Sequence, residues 1–199
     1  MKPVPSAPRP PSPGLFALVL GVHLFALALA IGPPLFFGAA VAPLAFRVLP
    51  TRDLAGALQS PILTRACWFA EASFAVLFVT SWLLGRWSTA PRLQKSLLTR
   101  APVLGMIAAV VIEKLLIPPI DRIRTEAPGL IDRLPANDPS KILLDRYHRL
   151  STSFFAAEIA VALVILVITA RLLSDRQAAP PVRAAARPPV PKLLDLSDV

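Results

Sequence analysis

The chain of 199 residues is 55% hydrophobic and only 17% charged, with a formal net charge of +9. Its Lys and Arg residues flank long apolar runs and form no basic stripe with interleaved aromatic residues. This pattern is typical of a protein that crosses the bilayer several times and argues against nucleic-acid binding. Cys67 is the only cysteine, which excludes an internal disulfide and a multi-cysteine metal or iron–sulfur site. No known catalytic motif is present, so we expect neither an enzyme nor a bound metal or cofactor.

The first long apolar run begins after a short arm. Residues 1–14 are rich in proline, and we predict that they are disordered. From Leu15 to Phe46 there is no Asp, Glu, Lys or Arg, whereas a bilayer core roughly 30 Å thick needs only about 20 apolar residues in a helix. This is the first predicted span, kinked or broken at Pro33-Pro34. A secretory signal with a cleavage site at Ala28-Leu29-Ala30 is the alternative, but the apolar run continues well beyond Ala30 and favours a retained span.

Two features of this span bear on its contacts. Small residues recur at steps that keep them on one helix face, and this predicted helix-packing face consists of Gly14, Gly21, Ala28, Gly32 and Ala39. His23 is the only titratable side chain in the span. We expect it to be a hydrogen-bonded packing residue and not a metal or haem ligand.

The rest of the chain predicts three further spans. Residues 47–65 form a connection in which Leu54, Leu58 and Ile62 lie at helical spacing, so an interfacial helix is expected there. The second span covers about 66–84. The third covers about 101–117 and is stopped by Pro118-Pro119, and the fourth covers about 150–173. Asp138-Pro139 predicts the start of the helix that leads into the fourth span, and residues 174–199 form a Pro-rich tail predicted to be disordered.

The predicted fold is therefore all-α: an integral membrane four-helix bundle in a transmembrane domain of residues 15–173, with disordered Pro-rich termini. Four spans place both termini and the short loop between the second and third spans on one side. That loop carries Arg86, Arg92, Lys95 and Arg100 and no acid. Because short basic loops stay in the cytoplasm, we predict cytoplasmic termini, most simply in a bacterial inner membrane. The lipid bilayer is the expected partner, with a second copy of the chain or another membrane protein as a further one.

Three acids lie inside the spans. Spans two and four run opposite to span three, so Glu71, Glu113 and Glu158 are predicted to lie in the same half of the bilayer. The predicted intramembrane polar cluster consists of these acids and the basic residues nearest to them: Glu71, Glu113, Glu158, Arg65, Lys114, His148 and Arg149. Charged residues within spans are costly and usually face a bundle interior or a partner. Two interpretations stay open: a proton or cation site, or structural pairs such as Glu71 with Arg65 and Glu113 with Lys114.

Several short motifs resemble one family, the transmembrane protein 205-like proteins, whose bacterial members contain a domain of unknown function. The resemblance extends over roughly residues 15–173, and it is carried by Gly21-Val22-His23-Leu24, Val41-Ala42-Pro43, Phe46-Arg47-Val48-Leu49-Pro50, Ala55-Gly56, Ile117-Pro118-Pro119-Ile120 and Tyr147-His148-Arg149-Leu150. It implies a four-span integral membrane protein with no established activity. The chain departs from the family pattern at Glu113 and Glu158, where asparagine is usual, and at Ser151, where a second histidine is usual.

Three function classes remain at this point. The first is a non-enzymatic membrane protein that responds to ions or small molecules through the acids. The second is a structural or partner-binding membrane protein that uses the small-residue face. The third and weakest is a haem-binding redox protein, because His23 and His148 are predicted near opposite bilayer faces.

Overall fold

The computed structural model describes residues 11–127 and 129–178, and their regular structure is entirely helical. The helices are α1 (Pro13–Phe36), α2 (Ala42–Val48), α3 (Arg52–Trp87), α4 (Arg92–Val110), α5 (Ile117–Glu126) and α6 (Pro139–Ala178). A π-helical turn (Phe37–Val41) joins α1 to α2, and a second one (Val111–Leu116) joins α4 to α5. A short 3₁₀ turn (Ile131–Arg133) precedes α6.

Joined in this way, the elements form four helical columns long and apolar enough to cross a membrane: Pro13–Val48, Arg52–Trp87, Arg92–Glu126 and Pro139–Arg176. The predicted all-α, four-span fold is confirmed, and each predicted span lies within one column. Of the two termini predicted to be disordered, Pro13-Gly14 and residues 174–178 are helical. Residues 1–10 and 179–199 lie outside the described residues.

Polar side chains fix the helix starts. The Ser12 hydroxyl accepts a hydrogen bond from the Leu15 N–H at 3.3 Å, and the Thr51 hydroxyl accepts one from the Leu54 N–H at 3.2 Å. Asp138 accepts one from the Ser140 N–H at 2.8 Å, and α6 begins at Pro139 as predicted. Each oxygen satisfies a backbone donor that the first helical turn leaves free.

The predicted interfacial helix in residues 47–65 is wrong. From its cap at Thr51, α3 runs without interruption through Pro61 to Trp87. Ala55, Gly56 and Gln59 are buried in this first part of α3, which contacts α2 and α5. Because it has a packed face of its own, the segment extends the bundle and does not lie along the membrane surface.

Pro33-Pro34 does not break α1 into two half-helices, the stronger form of the prediction, and Pro118-Pro119 does not stop the third column as predicted. Each π turn ends two residues before a proline, Val41 before Pro43 and Leu116 before Pro118. A proline has no N–H to donate, and its ring clashes with the carbonyl four residues earlier, which in both columns lies within the π turn. The widened turn makes room for the ring, so the first column continues past Pro43 and the third past Pro118.

The core has two parts. The larger apolar cluster joins all four columns and includes Leu27, Phe74, Leu98 and Ile165. A smaller one, nearer to the connections that follow α2 and α5, contains Cys67, Ile112, Leu116 and Ile117. The acids of the candidate site lie beside this smaller cluster.

The predicted helix-packing face does not contact the chain's other helices. Gly14, Gly21, Ala28, Gly32 and Ala39 are all exposed, and nothing lies within 4 Å of a Cβ built on Gly14, Gly21 or Gly32. The inward face of α1 is formed instead by Val19, His23, Ala26, Leu27 and Ala30. The small residues do lie on one face of the helix, as predicted, but the other helices of the bundle pack against a different face.

Candidate functional site

Glu158 on α6 is a buried acid without a partner. Its side chain is 1% exposed, and neither carboxyl oxygen has a hydrogen-bond partner within the described chain. A buried polar group without a partner is rare because it loses its hydration and gains nothing in exchange. Such a group in a native bundle points to a bound species or a proton.

Glu113 lies in the second π turn and has partners on one side only. Its Oε1 accepts a hydrogen bond from Trp68 Nε1 at 2.6 Å and one from Lys114 Nζ at 2.7 Å. Lys114 itself is 63% exposed at the side of the bundle. The other oxygen of Glu113, Oε2, is buried without a partner. π turns occur frequently at functional sites, since they aim a side chain where a regular helix would not.

Glu71 on α3 connects the other two acids. Its carboxyl group lies within hydrogen-bonding reach of that of Glu113, and it also lies within electrostatic range of Glu158. Its Oε1 is buried and has no partner. The three acids therefore present four buried carboxyl oxygens without a hydrogen-bond partner, and Lys114 is the one cation that pairs with them in the described residues.

The structure brings together only part of the predicted polar cluster. Glu71, Glu113, Glu158 and Lys114 converge. Arg65 lies on the outside, where it lines a surface cavity with Trp68 and Asp121. No ion pair joins it to Glu71 in residues 11–127 and 129–178.

His148 and Arg149 also lie apart from the acids. His148 lines a cavity nearer to the connecting loops, and Arg149 is exposed. Sequence reasoning missed two neighbours of the acids, Trp68 and Cys67. The available signal was spacing on α3, because Cys67 and Trp68 lie one turn before Glu71.

The acids are not arranged to chelate a metal ion. Across the described parts of the chain, no group of three or more His, Cys, Asp or Glu side chains is close enough to hold one. What the arrangement can do chemically is take up positive charge beside an apolar cluster. Protons or a weakly held cation fit this better than a tightly bound divalent ion, which requires several oxygens at short, regular distances.

The cavity nearer the loops, here named the loop-side cavity, has a volume of about 270 Å³. Its walls are mainly apolar and include Phe37, Phe155 and Ile112, with hydroxyls from Ser151 and Thr152. Arg124 also lines it, and the guanidinium group packs so closely on Gly56 that a Cβ there would collide with it. Asp121 lies 3.8 Å from Arg124 Nη1.

His23 forms a separate polar contact in the other half of the bundle. Its Nδ1 lies 2.8 Å from the Thr80 hydroxyl and its Nε2 lies 3.0 Å from the Thr169 hydroxyl, so one side chain links α1, α3 and α6. A neutral imidazole has one N–H, so one threonine accepts a hydrogen bond from the ring and the other donates one. His23 is thus a hydrogen-bonded packing residue, as predicted.

Four membrane-crossing columns with a carboxylate cluster between them define a multi-pass α-helical membrane protein. The family model described as Domain of unknown function (DUF4149) matches residues 25–126, and the chain belongs to this family. The match contains Glu71 and Glu113 and ends where α5 ends, so Glu158 lies outside it. No curated protein and no solved structure gives a match.

Proposed function

We propose that this chain is a non-enzymatic, ion-responsive membrane protein, and that Glu71, Glu113 and Glu158 bind positive charge within the bundle. The observation that carries the proposal is Glu158, which is 1% exposed with both carboxyl oxygens unpartnered. The protein would respond when a proton or cation occupies this site or leaves it.

The three acids carry more negative charge than their neighbours offset. A charged residue at the middle of a span costs about 2.5–3.5 kcal/mol on insertion scales, and this cost is not recovered unless the charge is paired or neutralised. Lys114 offsets one of the three carboxylates. Two formal negative charges are left over, so the folded bundle should be more stable when protons or cations neutralise them.

We expect Glu158→Gln to leave the melting temperature in neutral detergent unchanged or higher, because the amide keeps the shape and removes a buried charge. The same variant should lose most of the wild-type stabilisation by lower pH or by added cations. The measurement is thermal unfolding across a pH series and a cation series. Glu126→Gln is the matched control: Glu126 is 72% exposed and pairs with Arg122 on the surface, so the wild-type response should be retained.

Strong destabilisation by Glu158→Gln with an unchanged response to pH and cations would contradict this proposal. It would show that the carboxylate satisfies a structural partner. The alternative function, a structural or partner-binding membrane protein, would then be favoured. The observation that supports this alternative is the exposed small-residue face of α1, where a helix from a second copy or from another membrane protein could approach closely.

The orientation is also a proposal. We infer that both termini are cytoplasmic in a bacterial inner membrane, because residues 86–100, where α3 passes into α4, contain four basic residues and no acid. A reporter active only outside the cytoplasm should be silent when fused after Leu173 and active when inserted within residues 121–135. The reverse pattern would overturn the orientation without changing the number of spans.

Two further points concern the wider family relationship and the haem-binding alternative. We infer that the family relationship extends to the transmembrane protein 205-like proteins, on the strength of Ile117-Pro118-Pro119-Ile120 and Tyr147-His148-Arg149-Leu150. The haem-binding alternative loses support from the geometry around His23, since both ring nitrogens face threonine hydroxyls. A Soret band that disappears on replacing His23 would restore that alternative.

A further inference from the structure

We propose that the carboxylate site takes up protons, and that they reach it from the loop-side cavity through a thin apolar barrier formed by Cys67, Ile112 and Phe155. This inference rests on the proposed function and adds the identity of the charge and its route.

The order of residues along α3 places the cavity, the barrier and the acid in succession. Leu63 lines the loop-side cavity, Cys67 lies one turn further on, and Glu71 lies one turn beyond Cys67. Residues four apart lie on one helix face, so a single face of α3 leads from the cavity to the site.

The fourth column repeats this order. On α6, Ser151 and Thr152 line the cavity, Phe155 follows one turn later, and Glu158 lies about one turn beyond it. Two columns thus place one side-chain layer between the cavity and the acids. In the third column, Ile112 borders the cavity beside Glu113 and belongs to the same apolar cluster as Cys67.

That layer is apolar and well packed. Ile112 is fully buried and Cys67 is 1% exposed. The two belong to the same apolar cluster, against which Phe155 packs. The Phe155 ring also meets Phe37 edge to face, with ring centroids 6.0 Å apart. Phe37 and Ile112 both belong to π turns, where the regular backbone hydrogen-bond pattern is already interrupted. Small movements there would open the barrier at low cost.

The opposite direction is blocked by a thicker layer. Between Glu71 and Thr80 on α3, Phe74 and Leu77 are fully buried. Between Glu158 and Thr169 on α6, Ala162 and Ile165 are fully buried. Two turns or more of close-packed apolar side chains therefore separate the acids from the His23 contact, against one layer on the loop side.

The charges around the route favour protons over metal cations. Arg124 and His148 are the titratable residues that line the loop-side cavity, and no acid lines it, so the approach does not concentrate metal cations. The facing carboxyl groups of Glu71 and Glu113 can form a hydrogen bond with each other only when they share a proton. The remaining titratable neighbours are Cys67, Glu158 and Lys114, and the first column carries none between His23 and Arg47.

The native chain contains its own reporter for the route, because Cys67 is its only cysteine and forms part of the barrier. The full chain in nanodiscs of neutral lipid would be labelled with a small, water-soluble cationic methanethiosulfonate. Labelling of the wild type should be slow. Phe155→Ala should accelerate it about tenfold, since removing a buried ring facilitates local opening. Leu77→Ala is the control: it also removes a fully buried side chain, but on the other side of the acids, and should leave the rate unchanged.

Equal acceleration by Phe155→Ala and Leu77→Ala would overturn the route, because it would reflect general loosening. No acceleration by Phe155→Ala in a folded protein would also overturn it. If Phe155→Ala does not fold, the milder Ile112→Val takes its place, with the same two outcomes. The identity of the charge is tested separately: the pH response of the melting temperature should be the same in sodium, potassium and choline buffers. A response that requires sodium or potassium would overturn the proton assignment and leave the proposed function intact, whereas the proposed function itself stands or falls with Glu158→Gln.

Discussion

Phe74→Ala is expected to lower the free energy of unfolding by about 3–5 kcal/mol, the usual cost of truncating a fully buried aromatic residue. Phe74 lies in the larger apolar cluster and is fully buried. Its ring covers Gly105 so closely that a Cβ added there would collide with the ring atoms. The α3–α4 contact therefore depends on a large residue facing a residue with no side chain. Unfolding by a denaturing detergent in mixed micelles measures the loss.

The Phe74–Gly105 pair can be tested from the other side. Gly105→Ala should cost about 1–3 kcal/mol through overpacking. Combining it with Phe74→Leu should recover part of this loss, since the smaller side chain leaves room for the methyl group. Additive losses in the double variant would show that the two residues do not share one contact. Gly21→Ala is the control, because nothing lies within 4 Å of a Cβ on Gly21.

His23→Ala is expected to lower the free energy of unfolding by about 2–4 kcal/mol, mainly because of the cavity left behind. Each hydrogen bond inside a membrane bundle adds only about 0.6 kcal/mol on average. Without the ring, each threonine hydroxyl can donate its single hydrogen to a backbone carbonyl 2.8 Å away, Thr80 to that of Val76 and Thr169 to that of Ile165. No stranded polar group therefore adds to the cost.

His23→Leu separates the two contributions. Leucine fills most of the space, so its cost should be close to that of the two hydrogen bonds alone, about 1 kcal/mol. The same mixed-micelle unfolding measures it. A loss as large as that of His23→Ala would mean that the hydrogen bonds, and not the packing, carry the effect of this residue.

The sequence predicted most of the fold for a simple physical reason. A span needs only length and little charge, and both are visible at residues 15–46, which contain no Asp, Glu, Lys or Arg, and at residues 101–117 and 150–173, which contain two each. The predictions that were wrong concern where individual helices begin and end. Pro118-Pro119 indicated a helix end, because the sequence does not reveal that a π turn can accommodate a proline ring. Residues 47–65 contain prolines and a glycine that predict a connection. In the structure, however, Gly56 and Gln59 are buried on one face of this segment, which forms the first part of α3.

The sequence predicted the depth of the acids along their helices, but not the direction in which the neighbouring side chains point. Because neighbouring spans are antiparallel, Glu71, Glu113 and Glu158 lie at one level in the bilayer, however the helices are rotated. Arg65, His148 and Arg149 lie six to ten residues from the acid on their own helix, roughly 9–15 Å closer to the loops, and the side to which a helix residue points depends on how the column is rotated against its neighbours. The small-residue stripe of α1 failed for the same reason. Its periodicity was correct, but periodicity alone does not say which side faces the bundle.

The carboxylate cluster is tested most directly by infrared difference spectra of the full chain between low and high pH. The signal to follow is the carbonyl band of protonated carboxyl groups inside the protein. If Glu158 binds positive charge as part of this site, the wild type should show a pH-dependent carboxyl signal that Glu158→Gln removes or shifts, while Glu126→Gln leaves it in place. Spectra of wild type and Glu158→Gln that are identical across the pH range would contradict the account.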